Sequence, residues 1–242
     1  MTIEIVPGVY RLSGIWDNVD LGANVYLIAD DTLTLVDTGF KGKAKEIMER
    51  IVRLGYSFSD IANIILTHHH PDHTGNLAAL KEITQARVIA HRADAVYIDG
   101  SLPQPGPSGP QWLRNMSGHL GWLLNTAPAE VDIQVDDGDE LPVSGGIKIL
   151  HTPGHTPGSI CIFLKQKGVV LVGDLLAQRF GLRLPSIPFT ADTARAIKSV
   201  KKLADQEFNV ICFGHGLPLK HGARNRVVEF ASRLNRNVKS ER

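Results

Sequence analysis

The stretch Ile64-Ile-Leu-Thr-His-His-His-Pro-Asp-His73 sets four histidines and an aspartate in six consecutive positions directly behind an apolar run. Neutral imidazole and carboxylate at this density are ligands for a divalent cation such as zinc or iron. The residue before a proline avoids helical geometry, so the chain up to His70 is expected to be extended. In an extended chain residues two apart share a side, which lets His68 and His70 face one point while His69 looks away. Past Pro71 the chain can turn into a helix and bring Asp72 and His73 round as a second pair. A solvated polyhistidine patch is a poor account of a cluster that leaves a buried strand.

Three more candidates stand in the same relation to apolar runs. His155 falls in the turn-rich loop Thr152-Pro-Gly-His-Thr-Pro-Gly-Ser159, Asp174 follows Val169-Val-Leu-Val-Gly173, and His215 follows Val210-Ile-Cys-Phe-Gly214. Each is weak alone, because a single loop histidine is commonly incidental. Together they place ligand types beyond the ends of four strands, where open sheets build sites.

The elements that must position them are read from periodicity and turn residues. Ile3–Leu12, Ala23–Ala29 and Leu33–Val36 are expected strands, and Lys43–Leu54 an amphipathic helix with Ile47, Ile51 and Leu54 on one face. Ile61–Leu66 and Ala86–Ala90 are strands flanking the histidine cluster and a helix over about Thr74–Ile83. Gly100 to Pro110 holds four prolines and three glycines and reads as a loop. A helix starting at Pro110 follows, with Leu113, Met116, Leu120 and Leu123 at helical spacing. Strands return at Val131–Val135, Ile147–His151, Ser159–Leu164 and Gly168–Val172. A helix over Ala191–Leu203, a strand at Asn209–Phe213 and a helix over Ala223–Asn235 complete the chain. Two groups of strands, each followed by helix–strand alternation, indicate a layered α/β sandwich with two sheets inside. No linker divides the 242 residues, so one domain is expected.

Composition narrows the class. A hydrophobic fraction of 43% with 21% charged residues is ordinary for a globular protein. The net charge of +1 offers no general pull on nucleic acid or anionic membrane. No apolar run is long enough to span a bilayer, and Met1 to Pro7 carries no export signal, so a cytoplasmic location is expected. Cys161 and Cys212 each sit in an apolar run and are expected to be buried free thiols. His91, His119, His151 and His221 lack such context and are left structural.

The order His68-x-His70-x-Asp72-His73, His155, Asp174, His215 resembles the metallo-β-lactamase superfamily. The resemblance covers nearly the whole chain, including Val36-Asp-Thr-Gly39 and Gly214-His-Gly216. It implies that superfamily's four-layer αβ/βα sandwich and two metal ions per chain, zinc by preference with iron or manganese as alternatives. His68, His70 and His155 would hold one ion, Asp72, His73 and His215 the other, and Asp174 would bridge them. Asp37 would support the metal loops by orienting a ligating imidazole. The implied activity is hydrolysis in which a metal-bound hydroxide attacks a carbonyl of a lactone, ester or thioester. Asp72 is a candidate to pass the proton to the leaving group.

Departures from the family's branches narrow the choice. The best-known class B β-lactamases carry cysteine where this chain has Asp174. Glyoxalase II enzymes resemble the metal motifs but append a helical domain, whereas 27 residues follow His215 here. Flavodiiron proteins replace a motif histidine with glutamate, and transfer-RNA-processing members carry a binding arm. Acyl-homoserine lactonases and small-ester hydrolases remain, although the familiar lactonases have tyrosine where this chain has Ala177. A glyoxalase II-like thioesterase and an iron-dependent persulfide dioxygenase-like oxygenase are the rival readings. The insertion at about 100–126 is the expected specificity element. Trp112, Met116 and Trp122 are its candidate substrate contacts, as a lid over an apolar acyl chain, unless the segment packs on the core or forms a homodimer interface.

Overall fold

Neighbouring side chains along Ile160–Leu164 are all buried yet belong to different cores. Ile160, Ile162 and Leu164 join one apolar cluster, while Cys161 and Phe163 join another. A strand with both faces covered reads as a continuous apolar run, and here the alternation sends successive residues into successive layers. In the computed structural model of the chain, residues 2–12, 22–106 and 125–240 are described, with side chains up to 234.

Seven strands form the first sheet, in spatial order β1 to β7: Thr2–Val6, Val9–Leu12, Val25–Ala29, Leu33–Val36, Ile61–Ile65, Arg87–His91 and Ile133–Val135. The first four pair antiparallel, and β4 through β7 pair parallel. The second sheet holds β8 (Glu140–Leu141), β9 (Ile147–His151), β10 (Ile160–Leu164), β11 (Val169–Leu171) and β14 (Val210–Cys212), in the order β14-β11-β10-β9-β8. A two-stranded hairpin, β12 (Ala177–Gln178) and β13 (Leu182–Arg183), stands apart.

Three apolar clusters define the layers. Tyr26, Ile28, Val36, Ile65 and Ile89 of the first sheet meet Ile147, Ile149, Ile160, Ile162 and Leu171 of the second. The outer face of the first sheet, including Leu27, Leu35, Ile64 and Val88, is covered by Ile47 and Ile51 of α1 (Ala44–Arg53) and Leu77 and Leu80 of α3 (Leu77–Thr84). The outer face of the second sheet is covered by Val200 and Leu203 of α5 (Thr193–Ala204) and Ala223, Val227 and Ala231 of α6 (Ala223–Ser240). The order is helix, sheet, sheet, helix: a four-layer αβ/βα sandwich.

Several expectations are corrected in detail. The single run over Ile3–Leu12 is a hairpin, broken at Pro7-Gly8, where Gly8 has φ +78° and a β-carbon would lie 2.5 Å from the Ala29 carbonyl oxygen. Helix α4 (Arg92–Ile98), strand β8 and the β12–β13 hairpin carry too few residues to show a period in the sequence. The segment 107–124, with Trp112, Met116 and Trp122, lies outside the described residues. Cys161 and Cys212 are buried free thiols, and burial pushes both up to about 12. Among the described residues no helix is long and apolar enough to cross a membrane.

Candidate metal centre

All seven candidate ligands lie just beyond strand ends at one edge of the sandwich. Strand β5 delivers Thr67 and the histidine cluster; the loops after β9, β11 and β14 deliver His155, Asp174 and His215. His70 precedes the short helix α2 (Pro71–Thr74) with φ −62° and ψ 149°, extended as a residue before proline should be. The helix then turns Asp72 and His73 inward. The ring centroids of His68 and His70 are 4.8 Å apart, and both lie within 4.8 Å of the His155 ring. His69 turns instead towards Tyr97, with ring centroids 4.7 Å apart, and towards Asp94.

The tautomers follow from the neighbours. Asp37 Oδ2 lies 2.8 Å from His73 Nδ1 and also accepts from Thr67 Oγ1 at 2.8 Å. That hydroxyl, having given its proton to Asp37, is left to accept from His68 Nδ1 at 3.1 Å. Thr190 Oγ1 donates to the Ser186 carbonyl and stands 3.4 Å from His155 Nδ1 in the same acceptor role. Each ring therefore carries a proton on Nδ1 and turns its Nε2 inward. The Nε2 atoms of His68 and His155 are buried without a hydrogen-bond partner, and His73 Nε2 and Asp174 Oδ1 face only each other there, outside good hydrogen-bond geometry. Leaving such groups unpaired costs roughly 1–3 kcal/mol each, so the site is built for something the protein does not itself supply.

Asp174 lies between two groups of ligands. Its Oδ1 is 3.4 Å from His73 Nε2, and its Oδ2 is 3.6 Å from His155 Nε2 and 3.3 Å from His215 Nε2. His215 Nε2 is also 3.1 Å from Asp72 Oδ2. Ligand atoms of His68, His70 and His155, of Asp72, His73 and His215, and of His68, His73 and Asp174 each lie within 4.8 Å of one another, close enough to hold an ion. Gly214 makes this approach possible, since a β-carbon there would collide with Asp174 Oδ1 and sit 2.8 Å from His73 Cε1.

Charge follows the same division. Burial holds His68 well below the usual imidazole range, pulls His70 down to about 3 and lowers His155. Burial acts the same way on His215, but Asp174 and Asp72 outweigh it and raise that ring to about 10. For His73 burial is overcome by Asp37 and then by Asp72 and Asp174. Burial would raise Asp72, yet His73 and His215 hold it down at about 2.

The structure brings the candidate ligands named from the sequence together around Asp37, and adds residues, missed by sequence reasoning, that tie their loops together. Asp94, buried in α4, accepts from the His69 backbone N–H at 2.9 Å and from Thr156 Oγ1 at 2.7 Å through Oδ2, and from the Gly158 N–H at 2.6 Å through Oδ1. It thereby clamps the histidine cluster to the His155 loop. Asn24 donates to the carbonyls of Phe213 at 3.0 Å and Gly216 at 2.8 Å, holding the His215 loop from the other sheet. Asn76 accepts from the N–H groups of Lys43 and Ala44 at the start of α1 and donates to the carbonyls of Thr38 and Phe40, shaping the loop after Asp37. None of the three has a local motif that announces it. Away from the site, His91 and His151 stack with centroids 3.8 Å apart.

A cleft of about 960 Å³ opens over the centre. Its floor includes His70, Asp72, His155, Asp174 and His215, and Phe40, Leu184, Pro185, Pro188 and Phe189 supply an apolar wall. The volume is at the upper end of small-molecule pockets, which run to about 1,000 Å³. Gln104, Pro105 and Gly106, just before the 107–124 segment, also line it.

The chain belongs to the metallo-beta-lactamase superfamily, whose sequence model matches residues 18–215. It is 31% identical over 236 residues to the probable metallo-hydrolase YflN of Bacillus subtilis (strain 168), with 88% of each chain covered. A hydroxyacylglutathione hydrolase of Maricaulis maris (strain MCS10) is 28% identical over 134 residues, covering 55% of this chain and 40% of that one. Among solved structures, the metallo-beta-lactamase family protein TTHA1429 from Thermus thermophilus superposes with a TM-score of 0.74 at 25% identity, covering 98% of this chain and 82% of that one. The subclass B3 metallo-beta-lactamase BJP-1 of Bradyrhizobium japonicum shares the fold, with a TM-score of 0.73 at 22% identity over 99% of this chain and 92% of that one.

Proposed function

We propose that this chain is a dinuclear metal-dependent hydrolase acting on the carbonyl of a lactone, ester or thioester, with two zinc ions per chain. The observation that carries the reading is the convergence of buried ligand atoms: the Nε2 atoms of His68 and His155 have no hydrogen-bond partner, and His73 Nε2 and Asp174 Oδ1 stand beside them 3.4 Å apart. His68, His70 and His155 would hold one ion and Asp72, His73 and His215 the other, with Asp174 between them. When bound, such ions lower the pKa of water towards about 7 and polarise a carbonyl oxygen.

The chain's own residues supply the rest. Asp37 and Thr67 hold the Nδ1 protons of His73 and His68 and so keep both rings aimed inward. Asp72 lines the cleft beside His215, and its carboxylate would take the proton that the attacking water gives up and pass it to the departing alkoxide or thiolate. The apolar wall from Phe40 to Phe189 suits an acyl chain and excludes water from it.

Metal analysis of the purified protein should find two ions per chain, and Asp174→Ala should abolish carbonyl hydrolysis while leaving the circular-dichroism spectrum intact. Retained turnover in that variant would remove Asp174 from the centre. A second reading, a thioesterase of the hydroxyacylglutathione hydrolase kind, draws on the partial match to that enzyme; parallel assays on acyl thioesters and homoserine lactones separate the two. A single iron per chain with oxygen consumption would point to the dioxygenase-like alternative.

A further inference from the structure

Outside the candidate ligands, the fixed charges on the cleft wall among the described residues are two arginines, Arg179 and Arg183. Both belong to the β12–β13 hairpin, which starts three residues after Asp174. The register pairs Ala177 with Arg183 and Gln178 with Leu182. Directly paired residues project from the same face of a hairpin, so Arg183 emerges beside Ala177, whose methyl group fills little of the space there. The hairpin is not free to drift from the centre. The Gln178 N–H donates to the His215 carbonyl at 3.1 Å, and Gly216 packs so closely that a β-carbon would collide with the Gln178 carbonyl. Arg183 Nη2 donates to the Arg179 carbonyl at 2.6 Å, which draws its guanidinium back across the turn.

Among the described residues neither guanidinium has a carboxylate partner. Asp72 and Asp174, the acids on the same wall, are engaged with His73 and His215. Both arginines are exposed and carry a fixed positive charge at the edge of the cleft. A planar guanidinium fork is also the side chain best matched to a carboxylate or phosphate. An anion arriving at the cleft is drawn towards this positive charge.

We propose that Arg179 and Arg183 recognise a carboxylate or phosphate group carried by the substrate, so that the enzyme acts on anionic carbonyl compounds. This rests on the hydrolase reading of the centre and adds a substrate class to it. The acyl portion lies on the wall of Phe40, Leu184 and Phe189, and the anionic group reaches the hairpin.

The test compares wild type with the R179Q/R183Q double variant, both zinc-loaded, on mono-4-nitrophenyl glutarate and on neutral 4-nitrophenyl butyrate. The ratio of kcat/KM for the charged over the neutral ester is expected to fall by about tenfold to a hundredfold in the variant, the range for hydrogen bonds to charged groups. The wild-type preference should also shrink as salt is raised. An unchanged ratio overturns the proposal. If wild type hydrolyses neither ester, the hydrolase reading fails on its own, and calorimetry of glutarate and propyl phosphate binding decides the arginine site. Binding of either anion weakened tenfold in the double variant supports it and tells which group is preferred. Equal binding of both by wild type and variant overturns it.

Discussion

The candidate ligands divide by proton affinity. His68, His70 and His155 are held neutral by burial and are ready to ligate at any physiological pH, whereas His73 and His215 sit among carboxylates that favour their protonated forms. A histidine whose pKa is raised stabilises the metal-free fold fully below its unfolded value, and that contribution is lost as pH climbs to the folded value. For His215 this window runs from 6.5 to about 10. Over the same window the proton competes less well with a metal, so apparent zinc affinity should rise with pH. Zinc titrated into metal-free protein at pH 7.5 should release protons, measurable by calorimetry in buffers of different ionisation enthalpy. Heats independent of the buffer would contradict the assignment of these two rings. The candidate ligands were legible because four of them crowd into one proline-marked stretch, Asp174 and His215 each follow an apolar run, and His155 lies in a turn-rich loop between two strands. Asn24 was not, since its partner Phe213 lies 189 residues away and only the packed sheets bring them together.

Among elements, the loops matter more than the strands that deliver them. Strands β10, β11 and β14 read plainly because every residue in them is buried and the apolar run is unbroken. Helix α4 did not, because seven residues cannot display a period and its N-cap is His91, whose Nδ1 accepts from the Ala93 N–H at 3.1 Å. Yet α4 carries Asp94, which joins the two loops bearing His68, His70 and His155. Asparagine there keeps one acceptor but turns an amide N–H towards a donor it cannot satisfy. Asp94→Asn should therefore weaken zinc binding by about tenfold to a hundredfold, the usual effect of losing a residue that orients metal ligands. A chelator competition assay, with circular dichroism as the control for folding, measures this. Unchanged affinity would reduce Asp94 to a packing residue. Asp37 shows the same economy of position, holding His73 and Thr67 from a left-handed backbone with φ 59°, a conformation that costs an L residue roughly 1–2 kcal/mol.

At the scale of the molecule, two groups of strands with intervening helices were enough to anticipate two sheets between helical layers. Their spatial order, and the hairpin that carries Arg179 and Arg183, required the packed chain. The centre is drawn from both halves of the sandwich, and its candidate ligands differ in exposure, His73 being fully buried and His70 half-buried. His68 and His155 are 1% and 3% exposed, whereas the Asp72 and His215 side chains are 21% and 29% exposed. If the centre holds two zinc ions as proposed, stopped-flow mixing of the zinc-loaded protein with a chelator should show two phases of equal amplitude, and a His215→Ala variant should lose the fast one. A single phase would mean that the ions leave together. The two-phase outcome would have a consequence for a cell short of metal. The pool of this protein would not switch between loaded and empty but would accumulate half-loaded molecules, so its output would track metal supply in graded fashion over a range set by the weaker position.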